Sequence, residues 1–182
     1  MAVALERPDL VSEAEFLALP ESNQKIELVD GEVVVAPSPT LGHQLFGDAL
    51  TGALRAWARD NPPARAASAP LDIRLGPERI VQPDVMVWPA GLASTDMPIT
   101  TVPRLVVEIL SRDRLYDRVT KRALYAEAGV QEYWIVDTAL RQVEVARGPG
   151  LRTVAIEKGT LTTPLLDGFA LDLPPVFDES GI

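Results

Sequence analysis

The chain has 182 residues, 47% hydrophobic and 24% charged, an ordinary balance for a globular protein with a sizeable core. It contains no cysteine, which excludes disulfides, thiolate metal sites and cysteine nucleophiles, and its single histidine, His43, excludes any site needing two from one chain. The formal charge of −9, from 26 acidic and 17 basic residues, argues against tight nonspecific binding to a polyanion.

No apolar run approaches the roughly 20 residues of a membrane span. The start, Met1 to Arg7, lacks the basic residues and long apolar core of a signal peptide, so a soluble cytoplasmic protein is expected. Ser12-Glu13-Ala14-Glu15 is a capping box and predicts a short helix over 13–18, stopped by Pro20. Lys25 to Ala36 reads as a β-hairpin turning at Asp30-Gly31. From Thr40 to Asp60, Leu41, Leu45, Ala49, Ala53 and Trp57 recur at helical spacing, and Leu50 and Leu54 widen the stripe. Asn61-Pro62-Pro63 ends this helix.

Three strands are expected next: Arg65 to Leu75, Ile80 to Trp88 after the turn at Gly76-Pro77-Glu78-Arg79, and Arg104 to Leu110 after a loop from Pro89 to Pro103. A helix over Leu115 to Ala128 closes at Gly129, and Glu132 to Asp137 is an aromatic-rich strand. Short strands over 142–146, 153–156 and 161–166 complete the chain. The order predicts an α/β fold around one mixed sheet, in a single domain covering 1–182 with its core in about 12–175.

Within this frame Glu108 stands out. It lies in Leu105-Val106-Val107-Glu108-Ile109-Leu110, which reads as a strand buried on both faces, with no cation beside it. A desolvated carboxylate there must neutralise or draw a cation from elsewhere in the fold. Asp84 has a similar setting in Ile80-Val81-Gln82-Pro83-Asp84-Val85-Met86-Val87-Trp88. Two acids in two apolar strands suggest one shared partner, most economically a divalent metal ion. Gln82 alternates onto the Asp84 face; Asp72 faces either the site or solvent. The plain alternatives are a Pro-Asp step at a strand bend for Asp84 and a buried ion pair for Glu108.

On the following helix Asp117, Lys121 and Tyr125 are spaced i, i+4, i+8, which places Lys121 at the edge of the apolar stripe, able to carry its ammonium to a site. Taken alone, Lys121 reads as a surface pair with Asp117, and the cluster Arg112, Arg114, Arg118, Lys121 and Arg122 as a solvated helix face. His43, in the first turn of the long helix, reads first as a capping or packing residue. The Tyr133-Trp134 pair reads as core.

The placement of Asp84, Glu108 and Lys121 resembles the PD-(D/E)XK nuclease superfamily, whose core is helix, three strands, helix, strand. Pro83-Asp84 matches its PD element and Glu108 its second acid. The superfamily lysine normally stands two residues after that acid, where this chain has Leu110; Lys121 occupies the place to which some branches have moved it. A closer resemblance is to the Uma-type family of putative restriction endonucleases, found in many bacterial genomes. It is carried by Glu27-Leu28-Val29-Asp30-Gly31-Glu32, Gly42-His43-Gln44, Pro70-Leu71-Asp72-Ile73, Val81-Gln82-Pro83-Asp84, the Glu108 strand, Lys121-Arg122-Ala123-Leu124-Tyr125 and Gly129 to Asp137.

The resemblance implies a restriction endonuclease-like αβββαβ core with a central mixed sheet, an N-terminal β-hairpin and additional C-terminal strands. It implies Mg²⁺- or Mn²⁺-dependent hydrolysis of DNA with Asp84, Glu108 and Lys121 as catalytic residues. Asp84 and Glu108 would hold the metal, with Glu32 as a third carboxylate and His43, Asp72 and Gln82 beside the site. DNA is the expected partner, and a homodimer is allowed. The competing reading is a catalytically inactive nuclease-fold protein that binds nucleic acid or a protein partner.

Overall fold

Local signals at the N-terminus give local structure. In the computed structural model, which describes residues 10–20, 22, 24–110 and 116–181, Ser12 Oγ accepts the Glu15 N–H at 3.3 Å and Glu15 accepts the Ser12 N–H at 2.8 Å. This reciprocal cap starts α1 (Glu13–Leu17). β1 (Ile26–Val29) and β2 (Glu32–Val35) form the hairpin, with Asp30 and Gly31 both at positive φ, as the tight turn between twisted strands requires. Thr40 caps α2 (Leu41–Asp60) by accepting the His43 N–H at 3.2 Å. The buried stripe of α2 runs through Phe46, Leu50 and Leu54, while Leu41 and Leu45, expected in that stripe, are exposed.

The two strands expected over 65–75 and 80–88 each break in the middle. The first becomes β3 (Arg65–Ser68) and β4 (Ile73–Gly76), the second β5 (Arg79–Val81) and β6 (Val85–Trp88). The breaks fall at Ala69-Pro70-Leu71-Asp72 and Gln82-Pro83-Asp84, where proline cannot donate to a ladder. One long hairpin therefore changes sheets. Its tip joins the hairpin strands in a four-stranded sheet ordered β2-β1-β5-β4. Its base joins a six-stranded sheet with β7 (Leu105–Ile109), β8 (Glu132–Asp137), β9 (Gln142–Arg147) and β10 (Arg152–Glu157), ordered β10-β9-β8-β7-β6-β3. In that sheet β7 and β8 run parallel and the other pairs are antiparallel, so the central sheet is mixed.

The expected helix over 115–128 begins, within the described residues, as a π-helical turn (Tyr116–Lys121) before α3 (Arg122–Ala128), which ends at Gly129 with φ 88°. Position 115 lies outside the described residues, as do Arg112 and Arg114. Arg118 pairs with Glu144 and Asp137, and Arg122 with Glu144, so the described arginines of the basic cluster serve the sheet rather than solvent alone. The expected strand over 161–166 shortens to β11 (Thr160–Thr162), paired with β12 (Ala170–Asp172). The chain then forms α4 (Leu173–Glu179), which the sequence reading passed over; its signal was Asp172 followed by prolines in the first turn.

The order α2-β3-β6-β7-α3-β8 is the αβββαβ arrangement, with the hairpin sheet before it and further strands after it. Period-two alternation gives β7 and β8 two buried faces. Leu105, Val107, Ile109, Trp134 and Val136 pack under α2 and α4, where the rings of Phe46 and Phe177 lie 4.7 Å apart. Val106, Tyr133 and Ile135 pack under α3 through Leu124 and Tyr125. A truncation such as Leu50→Ala in the first layer would cost about 2–5 kcal/mol. Glu108 belongs, by parity, to the second layer.

Candidate active site

The break between β5 and β6 positions the first acid. Val85 pairs with Val107 in the antiparallel β6/β7 ladder, which sets Asp84, just before β6, across from Glu108. The Pro-Asp step is thus a strand bend and also brings Asp84 to the seam between the two sheets. Asp84 Oδ2 accepts the Ile109 N–H at 2.8 Å and lies 3.1 Å from His43 Nε2; Oδ1 lies 3.0 Å from Lys25 Nζ. His43 can reach it because α2 runs close to the end of β7: a Cβ at Gly47 would sit 3.3 Å from Ile109 Cδ1.

Glu108 is only 2% exposed. Its Oε1 accepts Lys121 Nζ at 2.8 Å and the Tyr125 hydroxyl at 2.5 Å, and its Oε2 lies 3.6 Å from Lys25 Nζ. The cations that a buried carboxylate demands therefore arrive from two separate elements. Lys121, 3% exposed, also reaches Glu27 Oε1 at 3.2 Å, not the surface pair with Asp117 that spacing alone suggests. The π turn and α3 together bury Asp117, Lys121 and Tyr125, so the wide turn serves to aim the lysine inward.

These groups border a cavity of about 1200 Å³ between the hairpin sheet, the start of α2 and the π turn. Asp84, Glu108, Lys121, His43 and Gln82 all line it. Asp72 stands one bond behind, accepting Gln82 Nε2–H at 2.8 Å. Glu32 is exposed at the turn end of β2 and does not line the cavity. The hairpin's acid in the cavity is Glu27, which is buried and also accepts the Gln82 N–H at 2.8 Å.

Glu27 and Lys25 are the residues that sequence reasoning missed. Their signal was the same as for Glu108: Glu27 sits between Ile26 and Leu28, an acid in an apolar strand, and two-residue spacing puts Lys25 on its face. Three carboxylates, Glu27, Asp84 and Glu108, thus meet two ammonium groups.

The electrostatics follow. Burial pushes the Glu108 carboxyl up, to about 7, against the pull of Lys121 and Lys25. Burial pushes Asp84 up too, but Lys25, Lys121, the Ile109 N–H and His43 together outweigh it and hold its carboxyl below the usual range. Burial disfavours the charged lysines, yet the surrounding carboxylates, Glu108 first, raise both Lys25 and Lys121. Burial lowers His43, so it is neutral at pH 7; its Nε2 then carries the proton donated to Asp84, and its Nδ1 has no partner among the described residues.

Among the described residues no three His, Cys, Asp or Glu side chains converge as a ready-made metal cage. Two facing carboxylates beside a cavity nevertheless fit Mg²⁺ or Mn²⁺, hard cations commonly held by one or two carboxylates with waters and substrate phosphate completing the shell. Among the described residues, no helix is long and apolar enough to cross a membrane.

Comparison with known proteins agrees with this architecture. The fold is similar to that of a solved putative nuclease belonging to DUF820 from Anabaena variabilis ATCC 29413, with a TM-score of 0.77 at 23% identity over 93% of this chain and 99% of that one. No curated protein matches the chain. Residues 13–174 match the Uma2 family, described as putative restriction endonuclease, and the chain belongs to that family.

Proposed function

We propose that the protein is a Mg²⁺- or Mn²⁺-dependent endonuclease that hydrolyses phosphodiester bonds in DNA. The observation that carries this reading is the meeting of Asp84, Glu108 and a buried Lys121 at one cavity, with Lys121 Nζ 2.8 Å from Glu108. Asp84 and Glu108 would hold the cation. When bound, the cation supplies Lewis acidity, neutralising phosphate charge and making water a better nucleophile. Asp84 is fixed for this task by the Ile109 N–H and His43, and Glu108 by the Tyr125 hydroxyl. Lys121, held between Glu108 and Glu27, keeps its charge and would steady the charge that develops on the reacting phosphate.

A second reading is a nuclease-fold protein without chemistry that binds nucleic acid or a protein partner; within it, the formal charge of −9 favours the protein partner. A cleavage assay on mixed linear, circular and single-stranded DNA, with Mg²⁺ and with Mn²⁺, separates the two. Cleavage by the wild type that is lost in Glu108→Ala supports the enzyme. Intact DNA with every substrate and both metals, from protein that retains Mg²⁺ binding by calorimetry, supports the binder.

A further inference from the structure

Lys25 is the least expected member of the site. The chain has 14 arginines and only three lysines, Lys25, Lys121 and Lys158, and two of the three enter this cavity. Lys25 Nζ stands between the two facing acids, 3.0 Å from Asp84 Oδ1 and 3.6 Å from Glu108 Oε2. It hydrogen-bonds Asp84 and forms a longer ion pair with Glu108, so its charge lies in the gap between them. An ammonium is a compact, strongly hydrated point charge on a flexible four-carbon stem.

Its freedom to move differs from that of Lys121. Lys121 is 3% exposed and enclosed by Glu108, Glu27 and the Tyr116 ring. Lys25 has a side chain 22% exposed and precedes the first residue of β1, so its four-carbon stem has a path to solvent.

We propose that Lys25 competes with a divalent cation for Asp84 and Glu108, so that its ammonium must leave the space between them when the cation binds. The inference rests on the metal-dependent reading above and adds to it the residue that sets the metal affinity of the site. An ammonium and a divalent cation in the one gap between Asp84 and Glu108 would repel at contact distance, so removing the lysine charge should strengthen cation binding. Lys121 is not displaced, because Glu27 holds it from the other side.

The test is Mn²⁺ titration of the full chain by calorimetry. Lys25→Met should bind Mn²⁺ roughly ten-fold or more tightly than wild type, the low end of what one charge within about 4–6 Å does to a carboxylate. Lys25→Arg, which keeps the charge, should not gain, and Asp84→Asn added to Lys25→Met should remove the gain. Because Lys25→Met exposes two carboxylates to each other and risks misfolding, a second measurement uses wild-type protein. Amine acetylation, read by peptide mass, should rise at Lys25 when Mn²⁺ is added, with exposed Lys158 unchanged and buried Lys121 still protected. Wild type that binds Mn²⁺ while Lys25→Met binds no tighter, or while Lys25 labelling stays flat, overturns the competition and leaves the metal site standing. Failure of both proteins to bind Mn²⁺ overturns the competition and the metal reading together.

Discussion

Glu108 and Glu132 are both 2% exposed and lie on neighbouring parallel strands, yet their surroundings differ in kind. Glu132, at the start of β8, is saturated. Its Oε1 accepts Trp134 Nε1 at 2.5 Å and Arg147 at 3.2 Å, and its Oε2 accepts Arg147 Nε at 2.7 Å and the Thr163 hydroxyl at 2.6 Å. Glu144 on β9 is served in the same way by Arg118, Arg122 and Thr153. Glu108, near the end of β7, is served by lysines and a tyrosine and borders a cavity. Guanidinium forks fill a carboxylate's lone pairs in a fixed plane, while ammonium groups are point charges that leave room for another ligand. The outer acids are built to be finished; the cleft acids are built to be completed.

The largest test of this contrast is activity. Glu108→Ala should lower Mn²⁺-supported DNA cleavage by about 10²–10³-fold, the usual loss when a group acting on the transition state is removed. Glu144→Gln should stay close to wild type. Equal losses in the two variants would mean that both act through folding and that the contrast has no catalytic content. Lys121→Met keeps the stem and removes the charge. It should lower the cleavage rate by about 10²-fold while changing metal affinity far less, since the ammonium is expected to act on the reacting phosphate. Full activity in Lys121→Met beside an inactive Glu108→Ala removes this lysine from the mechanism.

Stability should run the other way. Glu132→Ala strands the Arg147 charge and the Trp134 and Thr163 donors, and should cost about 3 kcal/mol in urea unfolding, the low end for a broken buried pair because Arg147 is partly exposed. Lost activity without lost stability in this variant would place Glu132 with the cleft acids instead.

The core order was legible because its signals are local or periodic: the capping box at Ser12, the Asp30-Gly31 turn, and the apolar run around Glu108. The acid opposite Glu108 was legible because Pro83 marks the bend that carries it. What the sequence hides is where strands change sheets, since nothing in the runs over 65–75 and 80–88 says that each half pairs with a different partner. That pairing brings β1 to β5 and so delivers Lys25 and Glu27 to acids more than fifty residues away. The resemblance singles out Glu32 and not Glu27, although the hairpin register puts both acids on the same face; Glu32 falls at the turn end and is exposed, while Glu27, further from the turn, is buried. The π turn is likewise invisible to helical spacing, although Asp117, Lys121 and Tyr125 at four-residue steps suit a wider turn.

The pH dependence of stability gives the contrast its sharpest sign. Burial pushes the Glu108 carboxyl from its ordinary 4.5 up to about 7. Between those values the folded chain holds a proton that the unfolded chain has released. The stability linked to Glu108 is therefore fully present below about pH 4.5 and is lost as pH rises through about 7. Glu144 behaves oppositely. Burial raises it, but the Thr153 hydroxyl, Arg122 and Arg118 outweigh burial and hold its carboxyl below 4.5. Its contribution is present above 4.5 and is lost as pH falls through the lowered value. Melting curves with chelator present, from about pH 3.5 to about pH 8, separate the two groups. Glu108→Gln should flatten the decline toward neutral pH and leave the acid limb alone. Glu144→Gln should make the acid limb shallower, leaving the part that the lowered Asp84 carboxyl contributes, and should leave the neutral decline. A neutral-range slope that survives Glu108→Gln would assign the retained proton to another group and return Glu108 to the saturated class of acids that Glu132 and Glu144 represent.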